Sequence, residues 1–401
     1  MAINITNIVN AITAKNNNAD STYSSLELSR INLAVNTINA EDGVISYSTI
    51  NDFPSSDSSV VGQIAFLDRP YGYDSDDSAV TRTGSFYFFD GDSWSRATLR
   101  GDSEGDAYSG GGGWKFQGTL YGYTHGGRAA GAETNVIDKY AFATDGNATD
   151  VGNLLEYVYG PSGSNGETHG YRAGGYDPPI KNTIDKYSYT TDGNATDVGN
   201  LTGNRYFNTG QSSKDYGYSS GGNSPGYVNI IDKYSHVTDD NATDVGDLTT
   251  NRRLCSGQSS TTHGYTSGGL QPPYRNIIDK FPFATDENAT DVGDLTRTHQ
   301  GSSGQSSSTH GYTSGGWNPP YSNIIDKFPF ATDANATDVG DMISTRRYVG
   351  GNSSTTHGYV TGGFDPPYRN FIEKFPFATD ENATDVGDMT VTRDFPAGTQ
   401  V

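Results

Sequence analysis

Six near-copies of a unit of about 47 residues, four short apolar runs within each copy, and chain ends that complement one another predict a mainly β protein. The fold class is a six-bladed β-propeller behind a small N-terminal α+β domain. In the 401-residue chain a Gly-Gly pair follows an aromatic residue six times. The second glycines are Gly127, Gly175, Gly222, Gly269, Gly316 and Gly363, spaced 48, 47, 47, 47 and 47 residues apart. Each pair opens a variable loop. Ile-Asp-Lys-Tyr/Phe follows, as in Ile137 to Tyr140 and Ile278 to Phe281, drifting to Ile372-Glu373-Lys374-Phe375 in the last copy. Then comes Thr-Asp-x-Asn-Ala-Thr-Asp-Val-Gly, as in Thr285 to Gly293, often with a trailing arginine: Arg205, Arg252, Arg346, Arg393.

Residues 1–100 read as a docking or oligomerisation domain. Ile5, Ile8, Val9 and Ile12 share one helical face, and Leu28, Ile31, Val35 and Ile38 follow the 3-4-3 spacing of a coiled-coil seam. Two heptads are too short to be stable alone. The helix either packs on a local core or serves self-association and docking on a larger assembly. Residues 63–67 and 84–89 read as strands, followed by the turn signal Asp90-Gly91. Residues 101–113, with Gly105 and Gly110 to Gly113, read as a flexible linker.

Residues 114–401 read as the propeller. In the fourth copy strands are expected near 254–260, 265–268, 277–283 and 292–296, separated by Gly, Pro, Asn, Asp and Thr. Pro272-Pro273 is barred from a central strand. A four-stranded unit of this length cannot bury both faces alone; radial repetition lets blades cover one another. The segment from Arg393 to Val401 repeats the first strand of a unit, and the first unit lacks an obvious copy of that strand. Residues 395–401 are therefore expected to become the innermost strand of the first blade and lock the ring.

Aromatic-x-x-Gly-Gly, the Asp-x-aromatic strand, a polar turn and a trailing arginine together resemble the kelch repeat. The resemblance covers about residues 114–401 and implies a kelch-type propeller. One departure stands out: Val-Gly, as in Val292-Gly293, occupies the slot where kelch repeats place a Trp. Tyr and Phe are then expected to supply the bulk between blades. The nearly identical Gly/Asn/Thr-rich repeats behind a short N-terminal part also resemble structural proteins of bacteriophage virions, particularly tail or fibre proteins of marine phages. The 84–89 hairpin resembles small modules of such fibres.

Leu, Ile, Val and Phe make up only 70 of 401 residues, but 27 Tyr and 51 Gly compensate with bulky rings and tight turns. The net charge of −21, with scattered Lys and Arg, argues against nucleic acid as a partner. No apolar run approaches the length of a membrane span, so insertion is not expected. One cysteine, Cys255, excludes a disulfide framework within the chain and a cysteine metal cluster.

Chemistry is mostly sought in vain. The Asp-x-Asn-Ala-Thr-Asp segment lacks the glycine and bidentate acid of an EF-hand, and a turn role is favoured. His169, His263, His310 and His357 recur once per blade, with His125 displaced by two positions and His236 and His299 as singletons. A turn role for Thr-His-Gly is expected, and no metal site. Cys255 lacks the setting of a kelch-type copper oxidase, and Asp90 to Trp94 is a single partial Asp box where a sialidase needs several. Near-perfect repetition also argues against catalysis, because an active site breaks symmetry. No enzyme activity, catalytic residue or cofactor is expected.

Recognition is expected on one face. The position after Gly-Gly varies freely: Arg128, Tyr176, Asn223, Leu270, Trp317 and Phe364. It opens a loop that carries Tyr274, Tyr321 and Tyr368 in Pro-Pro-Tyr. Variable aromatics on a rigid ring suit ligand binding; the plain alternative is that they pack on the next blade. The reading is a virion tail or fibre protein, a homo-oligomer bound to other virion proteins through residues 1–100, its propeller displayed toward a cell-surface glycan. The alternative is a secreted or surface propeller lectin, or protein-interaction scaffold, of a bacterium.

Overall fold

The computed structural model describes residues 116–129 and 131–401, together with the backbone of four earlier strands. The chain divides into two units, Met1–Gly113 and Trp114–Val401. In the first, Ile64–Asp68 pairs antiparallel with Gly84–Phe89, which pairs with Trp94–Arg96. Ser46–Tyr47 runs parallel to Ile64–Asp68. The helical faces carrying Ile5, Ile8, Val9 and Ile12, and Leu28, Ile31, Val35 and Ile38, lie outside the described residues. So do residues 101–113.

The second unit is a six-bladed β-propeller of six four-stranded antiparallel sheets. In the fourth blade the strands, from axis to rim, are Ser256–Ser259, His263–Ser267, Ile277–Pro282 and Thr290–Asp294. The first strand starts later than the expected 254, because Leu254 takes a left-handed backbone (φ 58°) that strand pairing does not allow. The second starts earlier, since His263 already pairs with Pro282. The fourth also starts earlier, because the ladder shifts register at Ile278/Asp279. That bulge leaves Val292 unpaired between Asp291 and Gly293, and it recurs in all six blades.

The bulge explains the missing Trp. Each interface between blades holds one apolar cluster built by two neighbours. Between the fourth and fifth blades it joins Tyr265, Ile278 and Leu295 to Phe328 and Ala336, with Val292 and Phe330 at its edge. Tyr265 stacks on Phe330 at 4.7 Å and meets Phe328 at 5.6 Å. The rings fill the space, and Gly293 leaves room for the backbone of the next blade; a side chain there would overlap the Ala334 carbonyl. The last such cluster joins Tyr359, Ile372 and Met389 to Tyr140 and Ala148, so the sixth blade packs on the first.

Repeated polar motifs clamp the same interfaces. Aspartate of Ile-Asp-Lys is buried in every blade but the sixth, where Glu373 replaces it. The trailing arginine of the preceding copy reaches it: Arg252 to Asp279 at 2.9 Å and Arg393 to Asp138 at 2.5 Å, with Arg205–Asp232 and Arg346–Glu373 alike. Lysine of the same motif binds the first aspartate of the next polar turn in all six steps, ending with Lys374–Asp145 at 2.5 Å. The turn asparagine accepts a backbone N–H from the preceding blade, as Asn288 does from Asp247 at 3.0 Å.

Closure comes from the last strand. Ala397–Gln400 pairs antiparallel with Tyr121–His125 and is the innermost strand of the first blade. At the axis Gly163, Gly210, Gly257, Gly304, Gly351 and Gly398 stack so closely that a Cβ on any one would overlap the preceding glycine's carbonyl. Two closed rings of hydrogen bonds bracket this waist. On one side Gly160, Phe207, Leu254, Gly301, Tyr348 and Phe395 each donate N–H to the carbonyl of the previous member, at 2.5–3.0 Å. On the other, the N–H groups of Asn165, Ser212, Ser259, Ser306, Ser353 and Gln400 each reach the next member's side-chain oxygen. Asn165 and Gln400 depart from serine because their amides also hold the Phe116 carbonyl, at 3.5 and 2.7 Å. There the chain enters, beside an axial cavity of about 60 Å³ lined by these glycine and serine positions.

Candidate functional site

The strand connections give the disc two unlike faces. One carries the tight turns between first and second strands and the Asp-x-Asn-Ala-Thr-Asp turns, so its charge is mainly acidic: Asp286, Glu287 and Asp291 in the fourth copy. The other carries the loops after Gly-Gly and the linkers between blades. It holds Arg128, Arg253, Arg275, Arg297, Arg347 and Arg369, so the net charge of −21 does not describe it.

On the acidic face the repeated motifs are occupied in building turns and clasps. Asp286 holds Lys233, Asn288 holds the Asp247 N–H, and Asp291 accepts the Gly293 N–H. The per-blade histidines close turns: His263 donates its N–H to Ser260 Oγ at 2.9 Å, and its ring sits 2.8 Å from Thr262 Oγ1. His169, His310 and His357 make the same ring contact with a preceding threonine. Among the irregular histidines His125 and His299 are buried and His236 is half-buried, and desolvation pushes His125 and His236 down to about 3 and His299 to about 4. Burial likewise lifts the Cys255 thiol to about 11.

All nine expected ligand positions lie half-buried on the loop face. Each residue after Gly-Gly forms an isolated bridge with a linker residue: Tyr176 with Tyr159, Asn223 with Tyr206, Leu270 with Arg253, Trp317 with Gln300, Phe364 with Arg347, and Arg128 with Asp394. The Pro-Pro-Tyr rings lean on these positions. Tyr274 meets Trp317 of the next blade edge-on at 5.7 Å, and Tyr368 meets Phe364 at 5.1 Å. Tyr321 bridges to Trp317. The positions are thus spread around the face rather than gathered in one pocket. Tyr176 alone lines a groove of about 610 Å³, with Pro178, Pro179, Ile180, Asn204, Ser224 and Pro225, between the second and third blades.

The linker column is what sequence reasoning missed. Tyr159, Tyr206, Arg253, Gln300, Arg347 and Asp394 vary as freely as the column they pair with, and each precedes a member of the loop-face ring. Phe395 stacks on Tyr348 at 3.8 Å and lies 4.8 Å from Phe207, forming an aromatic floor over the axis. Aligning the linkers at the 47-residue period was the available signal.

Asp394 is buried there, holding Arg128 Nη2 at 3.0 Å. Burial lifts its carboxyl from 3.8 to about 6, against the pull of Arg128. The folded state therefore binds a proton more tightly than the unfolded chain. The associated stability, about 3 kcal/mol at roughly 1.4 kcal/mol per pK unit, is present below pH ~4 and lost as pH rises through ~6. Denaturant unfolding of the wild type and Asp394→Asn across pH 4–8 checks this: the wild type should lose stability relative to the variant on going from pH ~4 to ~6. A pH-independent difference would refute it.

The fold and this face define a β-propeller with a loop-borne aromatic and arginine surface. No protein-family model matches the chain, and no curated protein matches it.

Proposed function

We propose that the chain is a binding propeller of kelch type, displayed on a virion tail, fibre or similar appendage, and that its loop face adheres to a cell-surface glycan. The observation that carries the reading is the contrast within one chain. Framework positions repeat almost unchanged through six blades, while half-buried side chains on the loop face differ from blade to blade. A rigid ring with varied aromatic loops is the arrangement recognition uses. The phage resemblance of the repeats supports placement on a virion, with residues 1–100 contacting other virion proteins and further copies of the chain. Phe116, the first described residue of the propeller, lies on the opposite face from the loops.

The test is a glycan array probed with the full chain, then with Tyr176→Ala and Trp317→Ala. Binding by the wild type is expected, weakened about tenfold or more by loss of an aromatic platform. A wild type that binds nothing on the array or on intact cells would sink the reading.

A further inference from the structure

Among the described residues four of the six loop-face arginines have no acid to hold, and two of those four have no side-chain hydrogen bond either. Arg128 pairs with Asp394, and Arg369 lies 3.9 Å from Asp365. Arg275 donates to Gln271, and Arg297 to the Asn318 carbonyl. Among the described residues Arg253 and Arg347 make neither a salt bridge nor a side-chain hydrogen bond, and the Nε of each is buried without a partner. Rings hold them in place instead. The Arg347 guanidinium lies 4.4 Å from the Tyr348 ring, 4.6 Å from Trp317, 5.2 Å from Tyr321 and 5.6 Å from Phe364. Arg253 lies 5.1 Å from Tyr227 and 5.4 Å from Phe207. Phe207 and Tyr348 both pack on Phe395 over the axis, at 4.8 and 3.8 Å, which places the two arginines around the same axial mouth, where Asp394 is already held by Arg128.

Aromatic contact fixes a guanidinium without using its in-plane N–H donors, and such a fork matches a carboxylate or sulfate in two-point geometry. In a chain of net charge −21 with acids to spare, leaving two arginines unpaired beside the axis is a specific arrangement. The flanking Trp317, Tyr321 and Tyr348 rings offer flat apolar faces of the kind a saccharide ring covers. We infer that the axial mouth of the loop face is an anion subsite, in which Arg347 and Arg253 bind the carboxylate or sulfate of an acidic saccharide while the neighbouring rings carry its sugar. The inference rests on the glycan-binding reading above and narrows it to acidic glycans.

Calorimetry and tryptophan fluorescence on the full chain test it, Trp317 serving as a reporter beside Arg347. The probes are a glucuronate-containing hexasaccharide, the same oligomer with its carboxyls reduced to alcohols, a sulfated hexasaccharide, and inorganic sulfate as competitor. The acidic oligomers should bind at least about tenfold more tightly than the neutral one, with the preference falling as salt rises from about 0.05 to 0.5 M. Arg347→Gln and Arg253→Gln should each reduce the preference while neutral binding persists. Arg347→Lys, which keeps charge but not the planar fork, should restore it only in part. Sulfate competition on the wild type tests the subsite without any substitution. Equal affinity for acidic and neutral oligomers, with sulfate without effect, overturns the anion subsite and leaves adhesion standing. No saccharide binding at all overturns both. Preference for carboxylate or for sulfate tells which acid the ligand bears.

Discussion

Removing residues 397–401 is expected to abolish cooperative unfolding of the propeller. The deletion strips the first blade of its inner strand and leaves Tyr121–His125 as an open edge. It breaks the serine-side ring at Gln400 and the glycine waist at Gly398. It also removes Thr399, which bonds Tyr187 at 2.5 Å and accepts from Asn352 at 2.6 Å, and the Val401 carbonyl that receives the N–H groups of Thr119, Leu120 and Tyr121. At roughly 1 kcal/mol per lost hydrogen bond, the damage is comparable with the roughly 5–15 kcal/mol that keeps a domain folded. Calorimetry should show no sharp transition in the truncated chain, and a synthetic peptide of residues 393–401 added in trans should restore one. A truncated chain that melts like the full one would show that the ring does not depend on this strand.

The second large effect is expected at the buried clamp. Arg252→Ala leaves the Asp279 carboxylate without its counter-charge, held only by Thr249, where both side chains of the pair are fully buried, and it frees the Thr266 carbonyl that Arg252 holds at 2.9 Å. Stranding one member of a buried pair costs about 3–5 kcal/mol, measurable as a fall in the urea midpoint. Asp279→Leu combined with Arg252→Met should cost less than Arg252→Ala alone, since no charge is left behind. A loss below about 1 kcal/mol in Arg252→Ala would remove the clamp from the account of stability. The fifth blade shows the protein tolerating a weaker version. His299 stands in the arginine's place, and Asp326 is held by Thr296, with burial raising its carboxyl above the usual range.

The clamp also shows why the repeat was readable. Ile-Asp-Lys, the polar turn and the trailing arginine recur because each completes a contact with the next blade; the lysine clasp repeats at all six steps and the arginine at four. Their partners were not readable, since Arg252 precedes the fourth blade and Asp279 lies on its third strand, so that they meet only after three strands have folded. The missing Trp is similar. Val292-Gly293 announced different packing, but the bulge and the Tyr265, Phe328 and Phe330 rings that replace the indole belong to two blades at once.

The sequence by itself determined the blade number, the four strands per blade, the turn roles of the polar motifs and the strand that closes the ring. All of these follow from local periodicity and from ends that complement each other. Tertiary structure alone decided which face collects the arginines, which of them keep acid partners, and where the linker residues stand. Those properties depend on six distant segments converging on one axis. Arg253 and Arg347 look like any other arginines in the sequence, and become distinct only where the ring brings rings of aromatic carbon beside them and leaves them, among the described residues, without a salt bridge.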